Sequence, residues 1–188
     1  MPNEILDICN ANGTPTGNTV PRSDAHKMGV CHRTAHVWIY RRLPQNSCRY
    51  EVLLQRRSCN KDSYPGCLDT SSAGHIPAGS EPAESAIREL HEELGISINE
   101  NNLKFLGITH TAYEKVFHDE IFRDNEVVFV YACTASIELS AITIQETELE
   151  SVGWYDMEHT IQCCKNGDPE YCIPLSSLLL LQDFLKDS

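Results

Sequence analysis

The sequence predicts an α/β fold in which helices lie on both sides of a mixed β-sheet. Several short segments have the alternation and composition of strands, and two longer segments have the pattern of helices. Many strands combined with a few helices give a layered sandwich, here an α/β/α arrangement. The chain of 188 residues is long enough for one such domain with its own core. We therefore expect a single domain over residues 1–188.

Seven segments rich in β-branched and aromatic residues predict strands. They are residues 4–9, 35–40, 50–56, 72–74, 103–109, 126–132 and 151–155. The first should pair with a short extended segment after a turn at 10–15, which gives an N-terminal hairpin or arm within residues 1–30. The second and third should form a hairpin that turns at 43–47.

Two segments predict helices. The first places four apolar residues on one face, namely Ala83, Ile87, Leu90 and Leu94. Pro82 suits the first turn of this helix, and Gly95 suits its C-terminal cap. The leucine run at 178–181 predicts a C-terminal helix within residues 174–188, beginning at Pro174 or Ser176.

Composition and charge exclude several classes of protein. The formal net charge of −12 argues against a nucleic-acid polymer as partner, because phosphate backbones are bound by clustered Lys and Arg. A membrane span is not expected, because no run of about 18 apolar residues occurs. The N-terminus lacks the features of a signal peptide, and the nine cysteines include no Cys-x-x-Cys pair, so we expect free thiols in the cytoplasm.

Three carboxylates share one face of the first predicted helix. At 100° per residue, Glu89, Glu92 and Glu93 fall within an arc of about 100°, nearly opposite the apolar stripe. Taken alone, such a face is more often simply solvated. Clustered carboxylates are also the ligands that Mg²⁺ and Mn²⁺ prefer, with room left for substrate phosphate oxygens.

The segment from Gly74 to Ile96 resembles the Nudix box, Gly-x5-Glu-x7-Arg-Glu-U-x-Glu-Glu-x-Gly-U, where U is a bulky aliphatic residue. The matching residues are Gly74, Arg88, Glu89, Leu90, Glu92, Glu93, Gly95 and Ile96. One fixed position differs, because Ser80 replaces the first glutamate and Glu81 stands one residue late. The length of the pattern makes it a specific signal. The resemblance implies the Nudix fold and metal-dependent hydrolysis of a small organic diphosphate with Mg²⁺ or Mn²⁺.

The resemblance also implies roles for individual residues. Metal ligation falls to Glu89 and Glu93, with Glu92 and the Gly74 carbonyl in support. Arg88 ties the loop to the helix; its usual partner is the glutamate that Ser80 replaces, so Glu81 or Glu84 is expected to stand in. The remaining roles are the catalytic base, the phosphate contacts and the leaving-group pocket. The base is assigned to Glu126, with Glu92 as second choice. Arg57 and Lys61 are candidates for the phosphate contacts, the alternative being a solvated strand end. Tyr113 and Trp154 are candidates for the leaving-group pocket, although such aromatic residues more often belong to the core.

Within the superfamily, the chain resembles the isopentenyl-diphosphate isomerases and the hydrolases closest to them. The residues that carry this resemblance include His26, His32, the 53–57 segment with Lys61, the 64–66 and 72–75 segments, and the 124–126 segment. The isomerases bind one metal near the positions of His26, His32, His75, Asp124 and Glu126, so His32, His75 and Asp124 are candidates for an additional metal site. A zinc site that joins Cys31 to His26, His32 or His36 fits no known spacing.

Two departures favour hydrolysis over isomerisation. The isomerase cysteine lies just before the Gly-His pair, where this chain has Ala73, and a methyl group exchanges no proton. The chain also keeps Glu89, Glu92 and Glu93, which isomerases tend to lose. The alternatives are an isomerase and a catalytically silent diphosphate-binding module, the latter suggested by Ser80. The sequence leaves the substrate open among nucleotides, nucleotide sugars, dinucleotide cofactors and isoprenoid diphosphates.

Overall fold

The structure, a computed structural model, describes residues 4–43, 46–134 and 137–186. Its strands are β1 (Ile5–Cys9), β2 (Pro15–Pro21), β3 (His32–Leu43), β4 (Asn46–Arg57), β5 (Leu68–Asp69), β6 (Ser72–His75), β7 (Lys104–Phe117), β8 (Glu120–Thr134) and β9 (Leu149–Asp156). Its helices are α1 (Arg22–Met28), α2 (Pro82–Leu94), α3 (Met157–Asn166) and α4 (Leu175–Lys186). The turn predicted at Pro44 and Gln45 lies outside the described residues.

Seven strands form one mixed sheet, as predicted. The main path runs β5-β4-β3-β8-β7, with β6 also paired to β3 and β9 also paired to β4. The central pair β3 and β8 is parallel, whereas the other pairs are antiparallel. Strands β1 and β2 form a separate antiparallel ribbon, which matches the predicted N-terminal hairpin.

Helices cover both faces of the seven-stranded sheet, which confirms the α/β/α sandwich. Along β3, Val37 and Ile39 face α2, whereas Trp38 faces α3 and α4, because successive side chains of a strand point to opposite sides. Leu178 and Leu181 of α4 are fully buried on the Trp38 side. None of the helices in the described residues is both long and apolar enough to cross a membrane.

Helix α2 has the orientation that its sequence pattern predicts. Leu90 and Leu94 are fully buried against the sheet, and Ala83 and Ile87 pack at the edge of the same core. Pro82 is at the start of the helix, and Gly95 ends it in the left-handed conformation with φ of 67°. The apolar stripe therefore fixes which way the opposite, acidic face points.

Of the predicted strands, β7 and β8 extend furthest beyond their expected bounds. Strands β7 and β8 form a long hairpin that turns at His118 and Asp119, both with positive φ (49° and 65°). Such a turn usually contains glycine or asparagine, so its sequence gave no turn signal. The hairpin corrects the position of Glu126, which was expected at the start of a strand and instead lies inside β8.

Helices α1 and α3 were not predicted from the sequence. Helix α3 begins after Asp156, whose side chain accepts a hydrogen bond from the His159 N–H at 2.9 Å, and ends at Gly167 in the left-handed conformation. Both are ordinary helix-end signals, and the segment between them is short. Helix α1 has no side-chain cap, because Pro21 precedes it.

A buried hydrogen bond joins the central strand to the C-terminal helix. The indole N–H of Trp38 donates to Ser177 Oγ at 2.8 Å, and both residues are fully buried. Replacing Ser177 by alanine is expected to lower the free energy of unfolding by about 1–3 kcal/mol, because the indole N–H loses its partner away from water. Urea unfolding followed by tryptophan fluorescence measures this change. The exposed neighbour Ser176, replaced in the same way, serves as control; equal midpoints for the two variants would contradict the prediction.

Candidate active site

Glu89, Glu92 and Glu93 of α2 lie along one cavity of about 650 Å³. Glu93 is buried and its Oε2 accepts hydrogen bonds from Ser72 Oγ at 2.7 Å and from the Ala73 N–H at 3.2 Å. Two consecutive residues of β6 thus hold this carboxylate in place. Glu89 and Glu92 are less enclosed. The same cavity is lined by most of the predicted site residues, namely Arg57, Lys61, Gly74, His75, Arg88, Glu89, Glu92, Glu93, Tyr113, Asp124 and Glu126.

Gly74 leaves the space that the Glu89 carboxylate occupies. A Cβ atom at position 74 would lie 2.1 Å from Glu89 Cδ, far inside contact distance. Its backbone lies outside the positive-φ region. Glycine is therefore required here by the close approach of β6 to α2, and not by a special backbone conformation.

Burial disfavours the charged forms of Glu89 and Glu93 on α2. Burial, and then the charge of Glu89, raise the pKa of Glu93 to about 8. Burial also raises the pKa of Glu89, although Arg88 opposes that shift. Two partly desolvated carboxylates side by side are stabilised by a nearby cation. The donor set of Glu89 and Glu93 therefore fits a hard divalent ion such as Mg²⁺ or Mn²⁺.

A second group of ligand-type side chains borders the same cavity, which is lined by all of its members except His32. Atoms of His26, His32 and His75 lie within 4.8 Å of one another, as do those of His32, Asp124 and Glu126. His26 Nε2 and His75 Nε2 are 3.0 Å apart, and Glu126 Oε1 lies 3.7 Å from His32 Nε2 and 4.0 Å from His75 Nε2. We call these five residues the histidine–carboxylate cluster.

The strand register brings this cluster together. His32 on β3 is the direct partner of Glu126 on β8, and His75 on β6 is opposite Thr34 on β3. Thr34 Oγ1 donates to Glu126 Oε2 at 3.2 Å. Helix α1 supplies His26, whose Nδ1 lies 3.5 Å from Asp124 Oδ1.

Several polar atoms of the cluster have no hydrogen-bond partner. His32 Nδ1 bonds to the Val30 carbonyl at 2.8 Å, which turns its Nε2 toward the cluster, where that atom has no partner. Asp124 Oδ1 and His26 Nδ1 are also buried without one. A backbone carbonyl behind the imidazole is the usual arrangement for a metal-binding histidine. The cluster therefore fits a metal ion.

The acids and bases of the cluster respond to burial differently. Burial lowers the pKa of His26 to about 4 and, together with the charge of Glu126, raises the pKa of Asp124 to about 8. Burial opposes ionisation of Glu126 as well, but the neighbouring His32 imidazole, 3.7 Å away, outweighs it and lowers the pKa of Glu126. Burial also lowers the pKa of His75 well below its usual range. A neutral imidazole is the form that ligates metals.

Arg57 and Lys61, the predicted phosphate contacts, reach the cavity with acidic partners already in place. Arg57 donates to Asp69 at 3.0 Å and to the Ser63 carbonyl at 2.9 Å. Lys61 forms an ion pair with Glu148. The partners Asp69 and Glu148, 12 and 87 residues away along the chain, had not been predicted.

Two predictions about the site need correction. Arg88 does not pair with Glu81 or Glu84 in the described residues: it contacts Glu89 and Glu92, each at 2.7 Å, and donates to the His75 carbonyl at 3.2 Å. Glu92 lies one turn along α2 from Arg88, and Glu89 is the next residue in the chain. Trp154 lies outside the cavity, with the Arg41 guanidinium 4.1 Å from its ring centre. Cys31 joins neither group of metal-type ligands, and its sulfur lies 3.6 Å from that of Cys9.

Comparisons with known sequences agree with this geometry. The NUDIX domain family model matches residues 32–170. The chain is 39% identical over 173 residues to Nudix hydrolase 3 of Arabidopsis thaliana, covering 91% of this chain but only 22% of that protein. An uncharacterized Nudix hydrolase of Clostridium acetobutylicum is 34% identical over 79% of this chain and 68% of its own length. An isopentenyl-diphosphate Delta-isomerase of Escherichia coli is 28% identical over 84% and 79%.

Solved structures share the fold. A crystal structure of a Deinococcus radiodurans protein superposes with a TM-score of 0.62 and 19% identity, covering 95% of this chain and 98% of that one. The Ap4A hydrolase of C. elegans, in a binary complex, gives a TM-score of 0.52 at 21% identity over 83% and 98%. At these identities the likeness concerns the fold alone. With the family match spanning most of the chain, the chain belongs to the NUDIX domain family.

Proposed function

We propose that the chain is a divalent-metal-dependent pyrophosphohydrolase that cleaves the diphosphate linkage of a small organic diphosphate. The observation that carries this proposal is the placement of Glu89, Glu92 and Glu93 along the cavity, with Gly74 leaving space for Glu89. Relatives named Nudix hydrolases support the reaction class. Because the chain covers 22% of the first of these relatives, the activity of that whole protein is not transferred.

Glu89 and Glu93 are the proposed metal ligands, with Glu92 and the Gly74 carbonyl in support. Mg²⁺ or Mn²⁺, when bound, supplies positive charge that stabilises the phosphate oxygens during attack of water. Ser72 and the Ala73 N–H hold the Glu93 carboxylate in a fixed orientation. This preorganisation lowers the cost of assembling the charged site.

Glu126 is the proposed general base, and Glu92 is the second choice. Glu126 is enclosed in the cavity and is oriented by Thr34, whereas the Glu92 carboxylate is exposed and bound to Arg88. A base must be fixed within reach of the water that it deprotonates. Arg88 is assigned a supporting role, since it bridges Glu89, Glu92 and the His75 carbonyl. Glu126→Gln and Glu92→Gln, compared in the same assay, separate the two candidates.

Of the two proposed phosphate contacts, Lys61 has more N–H donors left for a substrate. Its ammonium has three protons and a single acidic partner, Glu148. Arg57 already uses its donors on Asp69 and on the Ser63 carbonyl and side chain. We therefore assign the direct contact to Lys61, and to Arg57 a supporting positive charge in the wall of the cavity.

The histidine–carboxylate cluster supports an isomerase as second candidate. Its residues stand at the positions that the resemblance gives to the isomerase metal, and a relative named isopentenyl-diphosphate Delta-isomerase covers most of the chain. Ala73 opposes this reading, because its methyl group borders the cavity where the isomerases have an acid–base cysteine. We propose that His32, His75 and Asp124 of the cluster hold a second metal in a hydrolase, so that Glu126 keeps its role as the base. A cytoplasmic location fits the eight described cysteines, which are all free thiols.

A substrate panel tests the proposed reaction. The panel contains ADP-ribose, a dinucleoside polyphosphate, a nicotinamide dinucleotide and isopentenyl diphosphate, each with Mg²⁺, and phosphorus NMR identifies the bond that is cleaved. We expect hydrolysis of at least one member and complete loss of turnover with a chelator. Deuterium uptake into isopentenyl diphosphate in heavy water, without phosphate release, would instead establish the isomerase. Binding without turnover of any member would establish the silent module.

A further inference from the structure

The loop between β6 and α2, at residues 76–81, is held by the N-terminal ribbon. The Ala78 N–H donates to the Ile5 carbonyl at 2.8 Å, and Leu6 and Pro77 form an isolated bridge. At the next residue, the Gly79 N–H donates to Asp7 Oδ2 at 2.9 Å. Strand β1 thus runs alongside the loop that leads from Gly74 and His75 into the acidic helix.

A buried ion pair connects this contact to the central sheet. Arg33 on β3 donates through Nη2 to Asp7 Oδ2 at 2.8 Å and to the Ser80 carbonyl at 3.1 Å. Both residues are almost inaccessible, with 8% of Asp7 and 5% of Arg33 exposed. The Arg33 carbonyl also accepts the Ile76 N–H at 3.0 Å. Charge-assisted hydrogen bonds in such a dry environment hold their partners firmly.

Ser80 gives this ion pair its significance. In the Nudix pattern the residue at this position is a glutamate that pairs with the helix arginine and ties the loop to the helix. Ser80 has no carboxylate, and Arg88 contacts Glu89 and Glu92 instead. The loop backbone on either side of this position is fixed by Asp7 and Arg33.

We propose that Asp7 and Arg33 are positioning residues that replace the missing box glutamate. They anchor the loop at residues 79 and 80, directly before α2, and so set where Glu89, Glu92 and Glu93 stand relative to Gly74. Asp7 lies outside residues 32–170, the part matched by the NUDIX model. The inference rests on the proposed metal-dependent hydrolysis for its functional consequence, and on the hydrogen bonds alone for its structural one.

Asp7→Asn tests the pair, because asparagine keeps the size and one acceptor but removes the charge that Arg33 requires. We expect faster hydrogen–deuterium exchange of the peptide covering residues 76–81, and an increase of about tenfold in the Mg²⁺ concentration that gives half-maximal turnover. Glu51→Gln cuts a second β-strand ion pair, 2.7 Å from Arg41 and away from the loop, and is the matched control. Unchanged exchange and unchanged Mg²⁺ dependence in Asp7→Asn would overturn the proposal.

Two further variants make the test decisive. Arg33→Lys keeps the positive charge and serves as the test if Asp7→Asn does not fold. A lysine ammonium lacks the planar guanidinium that spans Asp7 and the Ser80 carbonyl. We therefore expect the same faster exchange at residues 76–81 and the same higher Mg²⁺ requirement. Asp7→Asn with Ser80→Glu restores the family residue, and we expect the Mg²⁺ dependence to return toward that of the parent. A purely structural role for Asp7 would give no such rescue. If the parent hydrolyses no diphosphate, the proposed function fails, while the exchange measurement still decides whether the pair anchors the loop.

Discussion

Replacing Glu93 by glutamine is expected to reduce diphosphate hydrolysis by about two to three orders of magnitude. Glutamine keeps an oxygen that can accept from Ser72 and from the Ala73 N–H, so the hydrogen bonds that orient the side chain survive. What is lost is the negative charge beside Glu89 that the proposed metal requires. Initial rates of phosphate or nucleotide release at saturating Mg²⁺ measure the effect.

The stability of this variant separates catalysis from folding. The pKa of Glu93 in the metal-free folded protein is raised to about 8, so the folded state still holds a proton that the unfolded chain has already lost. The free energy of unfolding therefore falls as the pH rises from the pKa of the unfolded glutamate toward 8. Glutamine removes that cost, so metal-free Glu93→Gln should be at least as stable as the parent at pH 7. Glu84→Gln, on an exposed position of the same helix, is the control and should keep full activity. Activity within threefold of the parent in Glu93→Gln would exclude the proposed metal site.

Replacing Gly74 by alanine is expected to reduce turnover by about 10–100-fold without lowering stability. The new methyl group takes the place of the Glu89 carboxylate, which lies 2.1 Å from the position of the added Cβ. The atoms displaced are the flexible end of a side chain, and the backbone at residue 74 suits alanine, which also loses less entropy on folding than glycine. Thermal unfolding and steady-state kinetics together measure the two effects.

A double variant shows whether alanine at position 74 acts through Glu89. Glu89→Gln already removes the charge, so adding Gly74→Ala to it should cause little further loss, whereas independent effects would multiply. Gly153→Ala is the matched control, since Gly153 also lies in a strand without positive φ and is outside the cavity. Fully multiplicative losses in the double variant would show that the methyl group damages the site by another route.

Local sequence patterns predicted the main strands of the sheet, helix α2 and the acidic face of that helix. The stripe that includes Leu90 and Leu94 predicts both the helix and the direction of its acidic face, because helical periodicity is set by nearest neighbours along the chain. The same patterns missed the length of the β7–β8 hairpin, whose turn at His118 and Asp119 lacks glycine. There the pairing of two long strands overrides the local preference.

The rest of the site depends on strand register, which spacing alone does not encode. His32 and Glu126, 94 residues apart in the sequence, meet because β3 and β8 are parallel and aligned at those two residues. Family resemblance indicated this cluster, whereas composition and periodicity did not. Asp7 and Arg33 had no such indication: a single charge in a short alternating strand looks like a surface residue until its partner is known.

The contact between the N-terminal ribbon and the loop before α2 bears on how this domain is transplanted. A fragment cut at residue 32, where the family match begins, would keep every glutamate of the box and yet lose the Ile5 carbonyl, the Leu6 bridge and Asp7. A fusion protein built from this domain should therefore include the ribbon, since the contacts that hold the loop before α2 begin at Ile5, ahead of the family match.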